Sequence, residues 1–215
     1  MLPLTPIDEL TVNVDETAVL GVDAQKCFMP GAAPGFGELP APDGDQVAAP
    51  LYAVARLGRL FANTGDGHTA RHCSFKAQGG MWDDHAVLDT PGAELHPLLA
   101  AVATPGWMFY KGVADDTDAY SAFEVTDIEQ RLKGAGIRTL VVGGLVTNVC
   151  VLSTVLDALR AGFGVIVLVD ACRGIEAPGL PTHAQALEQM RAAGAVLTTS
   201  TELLLANPER ELAAA

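Results

Sequence analysis

Six apolar, β-branched runs separated by segments of helical periodicity constrain this chain more than any other feature. They are TAVLGVD (17–23), RLFANT (59–64), WMFYK (107–111), RTLVVGG (138–144), VIVLVD (165–170) and AVLTTS (195–200). Runs that are apolar throughout need cover on both faces, and helical connections between them supply it, which yields a mostly parallel sheet between two helical layers. The expected fold class is α/β: a three-layer α/β/α domain with a mostly parallel central sheet and Rossmann-like topology. The 215 residues suit one domain over 1–215, with 1–14 and 208–215 as fraying ends.

Two helices are expected to start at capping boxes, Thr126-x-x-Glu129 and Thr182-x-x-Gln185, and to end near Gly134 or Gly136 and at Gly194. A third lies between about 45 and 58, with Pro50 in its first turn, and a fourth over 148–162. Residues 24–43 and 65–106 are rich in Gly, Pro, Asp and His and read as long loops, the usual place for function.

Charge and cysteine usage exclude several function classes. Acidic residues outnumber basic ones 26 to 13, a formal net charge of −13. The basic residues form no cluster, so nucleic acid is not an expected partner. No apolar run approaches the roughly 18 residues of a membrane helix, so no membrane partner is expected either. The opening MLPLTPIDELTVNVDE carries acids where a secretory signal carries Lys or Arg, which points to a cytoplasmic protein. Cys27, Cys73, Cys150 and Cys172 contain no C-x-x-C pair, so reduced thiols are expected, with Cys27 and Cys172 as packing residues.

In an open parallel sheet the ligand crevice lies beyond the carboxyl ends of the strands. Asp23 closes the first run, Asp66 and His68 follow the second, Lys111 closes the third, and Cys150 opens the helix after the fourth. Only four lysines exist in the chain, which makes one at a strand end notable. A thiol at a helix amino terminus is expected to have a lowered pKa, and the N–H groups of Cys150 and of a turn residue such as Val146 suit an oxyanion hole. Cys150 reads either as a buried structural thiol or as a nucleophile; Asp23 and Lys111 favour the nucleophile by supplying a proton acceptor and a cation. Asp66, His68, His72 and His85 gather a carboxylate and three of the five histidines in one stretch, a donor set for Zn²⁺, Mn²⁺ or Fe²⁺. His96 and His183 are read as plain loop histidines.

From about Thr17 to Thr199 the chain resembles the isochorismatase-like cysteine hydrolases, and among them the nicotinamidases. The resemblance rests on VDAQKCFMPG (22–31), GDQVAAP (44–50), DGHTARHCSF (66–75), WDDH (82–85), TPGAELH (90–96), YKG (110–112), DAYSAF (118–123), GGLVTNVCV (143–151) and DACRG (170–174). It implies an Asp23, Lys111, Cys150 triad, an oxyanion hole at Val146 and Cys150, and a divalent metal, zinc first with iron or manganese as alternatives. The ligands would be Asp66, His68 and His85, with His72 as a ligand or as support behind them. Phe28 and Trp82 match aromatic walls around a ring, and a cis peptide is implied at Leu145-Val146. The implied activity is hydrolysis of nicotinamide to nicotinate and ammonia, as in NAD salvage, through a cysteine thioester. The alternative is another amide, lactam or ureido substrate; a homo-oligomer is also implied.

Three departures from the family pattern carry expectations of their own. Gly67 stands where the family has Trp or Phe, which leaves one side of the site roomier. Asn148 replaces an acid in the turn before the nucleophile. The chain between Arg56 and Asp66 is short, so the first crossover helix or the second strand is trimmed.

Overall fold

The computed structural model describes residues 4–6 and 10–210. Its strands are β1 (Thr17–Val22), β2 (Leu60–Asp66), β3 (Met108–Lys111), β4 (Thr139–Leu145), β5 (Gly164–Arg173) and β6 (Val196–Thr198). They form one sheet in the order β3-β2-β1-β4-β5-β6, every pair parallel, as the six runs require. All six residues of β1 and all seven of β2 are buried, because both faces of the central strands are covered. The chain moves outward through β1, β2 and β3 and then returns to place β4 against the other side of β1. That reversal opens a crevice beyond the carboxyl ends of β1 and β4. Register does the rest: β2 and β3 pair so that Asp66 lies opposite Lys111.

The helices are α1 (Ala48–Val54), α2 (Pro97–Val102), α3 (Ala122–Val125), α4 (Ile128–Gly134), α5 (Leu152–Arg160), α6 (His183–Ala192) and α7 (Ser200–Leu205). Pro50 falls in the first turn of α1, where its missing N–H costs nothing. The short 56–66 segment is absorbed by α1, which stops after seven residues, while β2 runs two residues beyond the apolar run through Gly65 and Asp66.

Four expectations need correction. The Thr126 box does not form: α4 is led by Asp127 without a side-chain cap, and the reciprocal box sits one turn earlier, between Ser121 and Glu124 on α3. The Thr126 hydroxyl instead donates to the Ala122 carbonyl at 2.7 Å and accepts the Ile128 N–H at 3.3 Å. The helix over 148–162 begins as a wide π-helical turn, Thr147–Val151, and becomes α-helical only at Leu152. The 65–106 stretch is not all loop, since α2 interrupts it, capped by the His96 side chain. Finally, residues 10–14, expected to fray, are pinned: Leu10 is fully buried, and Asn207 accepts from the Val12 N–H and donates to the Leu10 carbonyl. Residues 1–3, 7–9 and 211–215 of the expected fraying ends lie outside the described residues. The Thr182–Gln185 box on α6 forms as expected, and a further box, Thr199–Glu202, caps α7.

Candidate active site

Asp23 is the first residue past β1 and bends the chain with φ of +47°, a conformation Asp tolerates better than most residues. The bend aims its carboxylate along the sheet edge toward β2 and β3. Thr64 donates to Asp23 Oδ1 at 2.7 Å, and Lys111 Nζ lies 2.9 Å from Oδ2. Among the described residues no hydrogen bond of good geometry reaches Oδ2, which keeps a lone pair free. Lys111 also pairs with Asp66 Oδ1 and approaches Cys150 Sγ to 3.6 Å. Asp23 and Lys111 are fully buried and Cys150 nearly so. The acid, the cation and the thiol expected at one sheet edge therefore do converge.

The electrostatics follow from counting charges in a dry place. Burial alone would depress the Lys111 pKa, but Asp23 and Asp66 outweigh it and hold the ammonium charged. Burial raises the Asp23 carboxyl, against the pull of Lys111. Asp66 meets the same burial penalty, yet Lys111, His85 and His68 hold it well below the usual carboxylate range. Two carboxylates against one ammonium leave the cluster at −1, so a thiolate would add a second uncompensated charge. Burial accordingly pushes the Cys150 thiol well above its ordinary value; Lys111 opposes this while Asp23 and Asp66 add to it. The lowered pKa expected from a helix amino terminus is overturned: the turn there is π-helical, and burial with the Asp23 and Asp66 carboxylates raises the thiol instead.

The second oxygen of Asp66 faces the other way. Oδ2 is 3.7 Å from His68 Nε2 and 3.6 Å from His85 Nε2, and the three donor atoms all lie within 4.8 Å of one another. His68 Nδ1 is 3.0 Å from the Gly112 carbonyl and His85 Nδ1 is 2.7 Å from the Asp83 carbonyl. A carbonyl only accepts, so both rings carry their proton on Nδ1 and turn a bare Nε2 toward Asp66. Burial lowers the His68 pKa to about 4, which keeps the ring in the neutral form a metal needs. Two imidazoles and one carboxylate converging with free lone pairs fit a zinc, iron or manganese ion. His72 lies outside this set: it stacks on His68 with centroids 4.0 Å apart, and both its nitrogens are engaged, by Ser74 Oγ at 2.8 Å and the Thr117 carbonyl at 3.1 Å. Cys73, Cys27 and Cys172 take no part in it, and burial lifts the Cys172 thiol to about 12.

Cys150 of the first set and Asp66, His68 and His85 of the second line one cavity of about 430 Å³, its mouth included, with Asp23 and Lys111 buried behind them. Phe28 and Trp82 line it, as do Val146 and Cys150. The Leu145–Val146 peptide is cis, at the position the resemblance implies. Sequence reasoning missed Tyr120, whose hydroxyl accepts from Trp82 Nε1 at 3.4 Å, and Asp118 at the rim. The DAYSAF block held the signal for both. Gly67 does not enlarge the site: a Cβ there would meet Tyr110 at 3.1 Å and Leu88 at 3.2 Å, so the missing ring's space is already filled.

A family model, the isochorismatase domain, matches residues 17–202. The chain belongs to the isochorismatase family. The nicotinamidase of Escherichia coli (strain K12) is 37% identical over 207 residues, which cover 85% of this chain and 94% of that protein. A ureidoacrylate amidohydrolase of Methylorubrum extorquens (strain DSM 6343 / CIP 106787 / DM4) is 44% identical over 205 residues, 83% of this chain and 78% of that protein. The crystal structure of the pyrazinamidase of Pyrococcus horikoshii in complex with zinc superposes with a TM-score of 0.74 at 37% identity, covering 86% of this chain and 99% of that one. The six-stranded parallel sheet flanked by helices is thus the isochorismatase-family fold.

Proposed function

We propose that this isochorismatase-family protein hydrolyses nicotinamide to nicotinate and ammonia, with Cys150 as nucleophile. The observation that carries the reading is the meeting of two residue sets at Asp66: Asp23, Lys111 and Cys150 on one side and the two imidazoles on the other, with Cys150, Asp66, His68 and His85 lining one cavity. Relatives named nicotinamidase and pyrazinamidase support it.

Attack begins with the thiol proton passing to Asp23 Oδ2 as sulfur bonds to the carboxamide carbon, so no resting thiolate is needed. The N–H groups of Val146 and Cys150 would receive the oxyanion. Collapse of this adduct breaks the C–N bond, and the proton held by Asp23 leaves with the amine as ammonia. A water then gives Asp23 a proton and its oxygen attacks the thioester; cleavage of the C–S bond returns the proton to sulfur and frees the carboxylic acid. Lys111 stays charged throughout and offsets the negative charge that moves among sulfur, Asp23 and the oxyanion. Asp66, His68 and His85 would hold a divalent ion, zinc first, with His72 behind His68. When bound, that ion supplies a Lewis-acid grip on the pyridine nitrogen that fixes the ring between Phe28 and Trp82.

The ureidoacrylate amidohydrolase relative favours a second reading, a ureido acid as substrate. Such a substrate carries a carboxylate, whereas the cavity lining contains Asp66 and Asp118 and neither Lys nor Arg. An uncharged aromatic amide suits that lining better. A cytoplasmic location and a homo-oligomeric state belong to the same proposal. The deciding experiment measures ammonia and nicotinate released from nicotinamide by wild type, by Cys150→Ala and by a chelator-treated sample. Turnover only in the untreated wild type is expected; metal-loaded wild type that leaves nicotinamide intact while cleaving a ureido acid would replace the first reading by the second.

A further inference from the structure

The turn that carries Cys150 is fastened to the loop between β5 and α6, and one side chain does most of the fastening. Asn148, 2% exposed, donates through Nδ2 to the carbonyls of Ile175 at 2.9 Å and Pro181 at 2.8 Å, and accepts the Ile175 N–H on Oδ1 at 3.1 Å. One residue earlier, Thr147 Oγ1 meets His183 Nδ1 at 2.9 Å. These contacts grip both ends of the segment 174–182 between β5 and α6. The segment has little scaffold of its own: its internal main-chain hydrogen bond runs from the Leu180 N–H to the Ala177 carbonyl, and Pro178, Gly179 and Pro181 suit neither helix nor strand. Gly174 allows the close approach, since a Cβ there would meet Asn148 Oδ1 and His183 at 3.0 Å. Ile175 then lines the cavity beside Val146, Val149 and Cys150.

We infer that Asn148 is a positioning residue that latches loop 174–182 over the cavity, so that Ile175 acts as a size filter admitting single-ring amides and rejecting bulkier ones. The word amide rests on the function proposed above; the latch does not. An amide side chain is required because the site needs two donors and one acceptor together. A carboxylate would keep only the bond from the Ile175 N–H and would turn an oxygen toward two carbonyls.

The test needs no turnover. Alkylation of Cys150, located by peptide mass spectrometry, is timed with iodoacetamide and with a bulky N-aryl maleimide, and exchange of the Ile175 amide hydrogen is followed alongside. In wild type the bulky reagent should lag. Asn148→Asp should raise the bulky-to-small rate ratio by about tenfold and speed the exchange by a similar factor. Ile175→Ala should raise the ratio and leave the exchange unchanged. A ratio in Asn148→Asp equal to wild type overturns the inference, whether or not exchange has changed. Should Asn148→Asp fail to fold, an unchanged ratio in Ile175→Ala overturns it equally. A protein that obeys these ratios yet ignores nicotinamide refutes the proposed function and leaves the latch standing.

Discussion

Lys111 Nζ sits 3.6 Å from Cys150 Sγ, yet the same ammonium is held by Asp23 and Asp66, and burial beside those carboxylates pushes the thiol above its ordinary value. Proton transfer to Asp23 is therefore part of the attack. Alkylation of Cys150 by iodoacetamide should keep accelerating beyond pH ~8.5, the ordinary cysteine value. A plateau below that pH would mean that a thiolate is already present at rest.

Asp23 is proposed to act through the sulfur, so its loss and the loss of the thiol should not add. Cys150→Ala and Asp23→Asn are each expected to lower kcat by about 10⁴-fold, with the double variant no worse than Cys150→Ala alone. Single-turnover kinetics would read this; multiplied losses would place Asp23 on a separate step.

The neutral His68 ring makes a prediction for the metal-free protein. Its folded value of about 4 lies below the ordinary 6.5, so between those values the unfolded chain binds a proton that the native ring refuses. Stability contributed by the neutral ring is thus intact above pH 6.5 and is lost as pH falls toward 4, by about 3 kcal/mol in total. Urea midpoints at pH 7 and pH 4.5 measure the slope. His68→Asn should flatten it, and a slope unaltered by that substitution would assign the effect elsewhere.

Removing a proposed ligand should be distinguishable from removing its support. Zinc content after equilibrium dialysis should collapse in His68→Asn and His85→Asn. His72→Asn, which takes away only the ring stacked behind His68, should weaken binding by about 10-fold. Equal losses in all three variants would make His72 a ligand.

Much of this site was legible because the strands are continuous apolar runs whose ends are easy to read, and a parallel sheet brings those ends together. The gathering of Asp23, Lys111 and Cys150 at one edge needed nothing further, whereas position alone left Cys150 open between structural thiol and nucleophile. What was not legible depends on contacts between distant segments. Gly67 looked like empty space because the sequence does not reveal that Tyr110 and Leu88 fill it. Asn148 looked like a lost acid because its partners, Ile175 and Pro181, lie in another loop. The thiol was misjudged for the same reason: a helix start can be read locally, but its burial and the repulsion from Asp23, just past β1, and Asp66, at the end of β2, cannot. The Thr126 box failed because a competing box five residues upstream, at Ser121, took over that segment.

Strand β3 has four residues, lies at the sheet edge and ends on Lys111. Side chains alternate along a strand, so a slip of one residue would bring the half-exposed Tyr110 inward and carry Lys111 out to water. Asp23 and Asp66 would then face each other with no cation between them, a costly arrangement in a buried site. The charge cluster therefore proofreads the edge of the sheet: a chain zipped in the wrong register is penalised by repulsion and is inert. In a refolded preparation, the active fraction would count the molecules whose β3 edge strand found its place.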